Sequence, residues 1–149
     1  MPLDQSFVGR EYPPTWVYEI SREKIKEFAD AIGDSNPIYL DPEAARAAGH
    51  EDVIAPPTFA TIVNTKKIYE VVSDPDLGFD SGRMIHGDQR FAFTRPLRVG
   101  DRLAVTMHID KVDTRMGNDM LSLRAEIHSV TGEHLLTCAA LLISLGGSA

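Results

Sequence analysis

Cysteine is almost absent from this chain: its 149 residues include only Cys138. One thiol excludes an intrachain disulfide and a multi-cysteine metal site, and it fits a reducing compartment, so a cytoplasmic location is expected. Basic charge is also in short supply. Lys and Arg total 15 against 22 Asp and Glu, for a formal net charge of −7. Nucleic-acid binders carry a basic face, so no nucleic-acid partner is expected. Long apolar runs are missing: the longest, Cys138 to Ile143, spans six residues, where a membrane helix needs roughly 20. No membrane partner is expected either. The opening Met1-Pro2-Leu3-Asp4-Gln5 lacks the basic and apolar stretches of a secretory leader. There is no useful repeat and no low-complexity stretch.

What remains is an ordinary globular composition, 43% hydrophobic and 25% charged with 11 Gly and 9 Pro. A chain of this length buries roughly 70% of its unfolded surface and folds without a metal staple. One domain over residues 1–149 is expected.

The front half reads helical. Thr15 to Ile20 is a short strand candidate after Pro13-Pro14. Ser21 reads as an N-cap, with Glu23 in the first turn. Ile25, Phe28, Ala29 and Ile32 share one helix face and Gly33 stops the helix. Asp41-Pro42 opens a second, short helix that ends near Gly49. Pro56 and Pro57 can precede or begin a helix. Phe59, Ile62, Val63, Tyr69 and Val72 mark that longer helix, with Lys66 interrupting the stripe. It ends before Ser73, and residues 73–83 read as a loop.

From Met84 the apolar period becomes two. Phe91 and Phe93 alternate with polar neighbours up to Pro96. Alternation returns over Arg102 to Lys111 and again over Leu121 to Ile127. Gly117-Asn118 and Thr131-Gly132-Glu133 supply turns, and a mostly apolar strand closes the chain over Leu135 to Leu145. Strands joined by short turns make an antiparallel meander. The class is α+β, with a sheet wrapped around or stacked on the long helix.

The segment richest in chemistry is Gly33-Asp34-Ser35-Asn36-Pro37-Ile38-Tyr39. Read alone it is a helix stop and an Asn-Pro turn. Its order relative to Val53-Ile54-Ala55-Pro56-Pro57-Thr58-Phe59, His86-Gly87-Asp88-Gln89 and Pro96-Leu97-Arg98-Val99-Gly100-Asp101 says more. Together these segments resemble the hot-dog fold of the MaoC-like (R)-hydratases and hydroxyacyl dehydratases over roughly residues 5–145. More narrowly they resemble the actinobacterial branch that contains the substrate-binding subunits of (3R)-hydroxyacyl-carrier-protein dehydratases.

The resemblance implies a reaction: water is added across, or removed from, the C2–C3 bond of an acyl thioester. In active relatives an Asp and a His, five residues apart, bind that water and move its protons. Backbone N–H groups at the start of the long helix hold the enolate-like oxygen. Here Asp34 matches the acid and Tyr39 stands where the His belongs. A phenol has an ordinary pKa of about 10 and is a poor base at neutral pH. The family's His-Gly at the helix start is replaced by Pro56-Pro57, which have no N–H. The catalytic candidates are therefore Asp34, Tyr39 and His86, the last as a substitute base. The substrate-binding candidates are Asn36, Pro57, Thr58, Phe59 and Gln89.

No His pair has HExxH spacing, and no metal is expected. His50, His108 and His128 read as ordinary, and His134 falls in a turn. Gly146-Gly147 reads as a frayed tail, and Cys138 as a core residue. The resemblance implies no cofactor beyond the CoA or acyl carrier protein that bears the substrate. It also implies a dimer: with a copy of itself, or with a catalytic hot-dog subunit that brings the Asp–His pair. The leading expectation is the acyl-binding, partner-dependent subunit of a dehydratase. The alternatives are an autonomous homodimeric hydratase using Asp34 with Tyr39 or His86, a thioesterase in which Asp34 activates water, and a non-enzymatic acyl-thioester-binding module.

Overall fold

A computed structural model describes residues 2–146. Six strands form one antiparallel sheet: β1 Glu11–Tyr12, β2 Tyr18–Glu19, β3 Met84–Phe93, β4 Arg102–Arg115, β5 Asn118–Ser129 and β6 His134–Ser144. Their order is β1-β4-β5-β6-β3, with β2 also pairing β4. The helices are α1 Arg22–Ala31, α2 Pro42–Ala47 and α3 Thr61–Val72, the last preceded by a 3-10 turn over Pro57–Ala60. This is the α+β hot-dog architecture expected, with the sheet curved over the long helix.

Each element has a local cause. The Ser21 hydroxyl accepts from Lys24 N–H and starts α1, and Gly33 ends it at φ 70°. Asp41 caps α2, with Pro42 at its first position. Along β5 every second residue is buried, from Asp119 through Leu121, Leu123, Ala125 and Ile127. That period of two turns one face onto the core. There Phe59, Val63, Ile68 and Val71 of the helical layer share one buried cluster with Leu121, Leu123, Ile127 and Leu136 of the sheet. Phe59 also meets Phe28 edge-on, with centroids 5.4 Å apart at 71°.

The fold departs from the sequence reading where non-local contacts decide. The strand expected over Thr15 to Ile20 shrinks to Tyr18–Glu19, and β1 was not foreseen. Two-residue strands exist only because β4 offers them an edge. The β4–β5 turn falls on Met116-Gly117, at φ 50° and 76°, so Asn118 opens a strand instead of making the turn. β4 runs to Arg115, past the expected Lys111. The 73–83 loop buries Leu77 and Phe79 and ends in a 3-10 turn, Ser81–Arg83. Gly146 is not frayed: its N–H donates to Asn118 Oδ1 at 2.9 Å, and its carbonyl accepts from Arg83 at 3.3 Å. Gly147 lies outside the described residues. His134 opens β6 and bonds Glu126 at 2.8 Å and Thr94 at 2.7 Å.

The stripe on α3 needs the largest correction. Tyr69 is exposed, and Lys66 sits over the Trp16 ring at 4.5 Å. The buried cation is its neighbour Lys67, 1% exposed. Its ammonium donates to Pro13 O at 2.6 Å and to Glu70 at 2.8 Å. Glu70 also accepts from Thr15 Oγ1 and Trp16 Nε1. Burial raises the Glu70 carboxyl, but the bonds from Lys67, Trp16 and Thr15 prevail and hold it below its ordinary value. Residues 13–16 are thereby strapped across α3.

Candidate functional site

The Gly33–Tyr39 loop is built by its own polar side chains. Asp34 Oδ1 accepts from Asn36 N–H at 3.1 Å, and Asn36 Oδ1 accepts from Ile38 N–H at 3.2 Å. Asn36 thus caps a 3-10 turn, Pro37–Tyr39, with Pro37 at its first position. This turn drives the Tyr39 ring inward until it is 7% exposed. The next wall is pinned on both sides. Ile54 N–H donates to Ile38 O at 3.2 Å, Ala55 N–H to Leu97 O at 2.7 Å, and Val99 N–H to Val53 O at 3.2 Å.

Together these segments enclose an apolar cavity of about 230 Å³ lined by Tyr39, Ile54, Ala55, Pro57, Phe93 and Pro96. Burial, and then the charge of Asp34, push the Tyr39 phenol above its ordinary value. The phenol stays protonated at neutral pH and is able to donate a hydrogen bond. Asp34 is near enough to be felt electrostatically, yet it lines a separate shallow depression with Ala29, Asp30, Gly33 and Ser35.

The helix start beside this cavity is poor in donors. Pro56 and Pro57 lack an N–H, and Phe59 N–H is taken by Pro56 O at 2.9 Å. Thr58 N–H is the first amide of the turn, and among the described residues it donates to no backbone carbonyl. Thr58 and Pro57 are exposed. Phe59 is fully buried in the core and does not line the cavity.

His86 and Gln89 lie elsewhere, on β3. Gln89 Oε1 accepts from Asn64 Nδ2 of α3 at 3.1 Å and meets His86 Nε2 at 3.0 Å. His86 and Phe93 are seven positions apart along β3, roughly 23 Å at the rise of an extended chain. Within one chain, His86 is therefore not beside Tyr39. Phe93 and Pro96 as cavity walls escaped the sequence reading, because only the β3 register brings them to Tyr39.

Asp101 also went unassigned. It is 9% exposed, accepts from Arg95 at 2.8 Å through both oxygens, and takes Arg98 N–H at 2.9 Å. It locks the Pro96–Asp101 turn that forms one wall. Cys138 is core as expected, and burial pushes its thiol up to about 12. Among the described residues, no helix is long and apolar enough to cross a membrane.

A sequence profile of the FAS1-like dehydratase domain region matches residues 6–138. The chain belongs to that family. Among curated relatives it is 56% identical over 144 residues to a UPF0336 protein of Streptomyces avermitilis, covering 97% of this chain and 96% of that one. Among solved structures it superposes with TM-score 0.84 on a chain of the HadBC (3R-hydroxyacyl-ACP dehydratase) complex of Mycobacterium tuberculosis. The two are 29% identical, over 92% of this chain and 96% of that one. It also matches a MaoC-like dehydratase with TM-score 0.85 at 24% identity, covering 93% of this chain and 42% of that longer one. The last likeness speaks to the fold alone. The family and the HadBC likeness together place the chain among hot-dog proteins with a dehydratase-type domain.

Proposed function

We propose that this chain is the acyl-thioester-binding subunit of a (3R)-hydroxyacyl-thioester dehydratase, working with a second hot-dog subunit that supplies an Asp–His pair. The observation that carries this reading is the chemistry of the Tyr39 cavity. Its walls are apolar, and its one polar side chain is a phenol held in the neutral form. Such a cavity can hold a thioester and donate to its carbonyl, but it contains no group able to take a proton from water at neutral pH. Asp34 spends one carboxylate oxygen on its own loop. The HadBC similarity supports the partner, since that structure is a complex.

The test is reconstitution. The chain is mixed with a hot-dog protein from the same source that carries Gly-Asp-x-Asn-Pro-x-His. The expected dehydration rate is at least tenfold above the sum of the separate rates. A rate equal to that sum would refute the proposal.

A second reading, a homodimeric hydratase using Asp34 with Tyr39, draws on one observation: the Asp34 charge reaches the Tyr39 phenol. It predicts turnover by the chain alone.

A further inference from the structure

The Tyr39 cavity adjoins a second one of about 220 Å³ along their shared residues Ile54 and Pro96. The two differ in chemistry. The first is apolar, and the second is lined by His50, Glu51, Arg95 and Arg98. Two arginines and an imidazole around one cavity stand out in a chain of net charge −7.

The two arginines are not equivalent. Arg95 is spent: it donates to Asp101 through two nitrogens at 2.8 Å, to Glu133 at 2.7 Å and to Pro96 O at 2.9 Å. It fixes the wall. Among the described residues, the Arg98 guanidinium has one ion pair, to Glu51 at 3.3 Å, and the Glu51 side chain is 78% exposed. An exposed pair of that kind holds little, and an anion able to accept two parallel N–H bonds displaces it. The Arg98 backbone is nonetheless rigid, because its N–H is bonded to the buried Asp101 carboxylate. The site therefore offers an available guanidinium on a fixed backbone, next to an apolar cavity.

Resting on the thioester reading above, we propose that this second cavity binds the phosphate-bearing pantetheine arm of the thioester carrier, with Arg98 as the anion contact. The acyl thioester would lie against Tyr39, and the arm would leave between Ile54 and Pro96. That chemistry is common to CoA and to an acyl carrier protein.

The test is calorimetry on the full chain with two unreactive thioethers, S-hexyl-4′-phosphopantetheine and S-hexyl-pantetheine. The phosphate form is expected to bind about tenfold tighter, as one charge-assisted contact provides. Arg98→Gln is expected to erase that preference while leaving the affinity for S-hexyl-pantetheine unchanged, and Arg98→Lys to keep part of it. The backbone bond to Asp101 survives both substitutions, so folding is not the variable. Equal binding of the two thioethers, or a preference that survives Arg98→Gln, overturns the anion site and leaves the thioester reading standing. Failure of both thioethers to bind overturns the thioester reading itself. S-hexyl-CoA and the same thioether on a carrier protein form the last arms. The ligand that loses more affinity in Arg98→Gln is the physiological source of the arm, and no loss in either overturns the proposal.

Discussion

Removing Glu70 should damage this protein more than removing its partner Lys67, and removing both should repair part of the damage. Lys67 is 1% exposed, and its ammonium has two acceptors, Pro13 O and Glu70. In Glu70→Ala the ammonium stays buried with one neutral carbonyl. Stripping a buried charge of its counterion costs about 3–5 kcal/mol. The Glu70 side chain is 34% exposed, so water screens part of this, and the expected loss is about 3 kcal/mol. In Lys67→Met the charge goes with the side chain, a thioether of similar length fills the space, and Glu70 keeps Thr15 and Trp16. The expected loss is then about 1–2 kcal/mol. The double variant has no buried charge to strand and should be more stable than Glu70→Ala by about 1 kcal/mol or more. The assay is urea unfolding by circular dichroism, with a common m-value. In melting temperature, Glu70→Ala should fall by roughly 6–12 °C. A double variant no more stable than Glu70→Ala would refute the reasoning, because the stranded ammonium would then not be the source of the loss.

Asp101→Asn removes one of the two carboxylates paired with Arg95, leaving it Glu133 and Pro96 O, and weakens the hold on Arg98 N–H. It should cost about 2–3 kcal/mol in urea unfolding, and a loss below about 0.5 kcal/mol would mean the turn is held by its backbone alone. Burial by itself raises Glu126, but bonds from Thr137, Arg124 and His134 overcome it and bring the carboxyl down to about 2. Its folded pKa lies below its ordinary value of 4.5. Its contribution to stability is therefore full above about pH 4.5 and is lost as the pH falls toward 2. Glu126→Gln should flatten the stability profile across that window, and an unchanged slope would count against this assignment. Cys138, with its thiol pushed up to about 12, should resist a thiol reagent at pH 8 until urea unfolds the chain, and rapid native labelling would show the core to be open.

Much of the architecture was legible because it is local. Ser21, Gly33 and Asp41-Pro42 set helix ends through their own side chains and backbone, and the alternation in β4, β5 and β6 needs no partner to be seen. β1 and β2 were not legible, because two residues become a strand only when an edge stands beside them. The stripe reading singled out Lys66 and passed over Lys67. The burial of Lys67 comes from residues 13–16 crossing α3, a contact no periodicity encodes. The site was half legible. Family spacing pointed to Tyr39, which lines the cavity, and to Asp34, which lines a separate depression, and helix-capping chemistry explains how Asn36 and Pro37 turn the phenol inward. The cavity's far wall, Phe93 and Pro96, depends on sheet register, and the same register carries His86 away from Tyr39. Phe59 reads as a site residue by position in the motif, but within the Pro57–Ala60 turn it faces the core while Pro57 and Thr58 stay exposed.

The account turns on whether the Tyr39 cavity can move a proton without help. The most direct measurement follows the conjugated absorbance of trans-2-enoyl-CoA in the presence of the purified chain alone, beside its Asp34→Asn variant. The account predicts no turnover above background in either, across short and long acyl chains. Robust hydration by the chain, abolished in Asp34→Asn, would contradict it and make Asp34 with the Tyr39 phenol a complete catalytic pair.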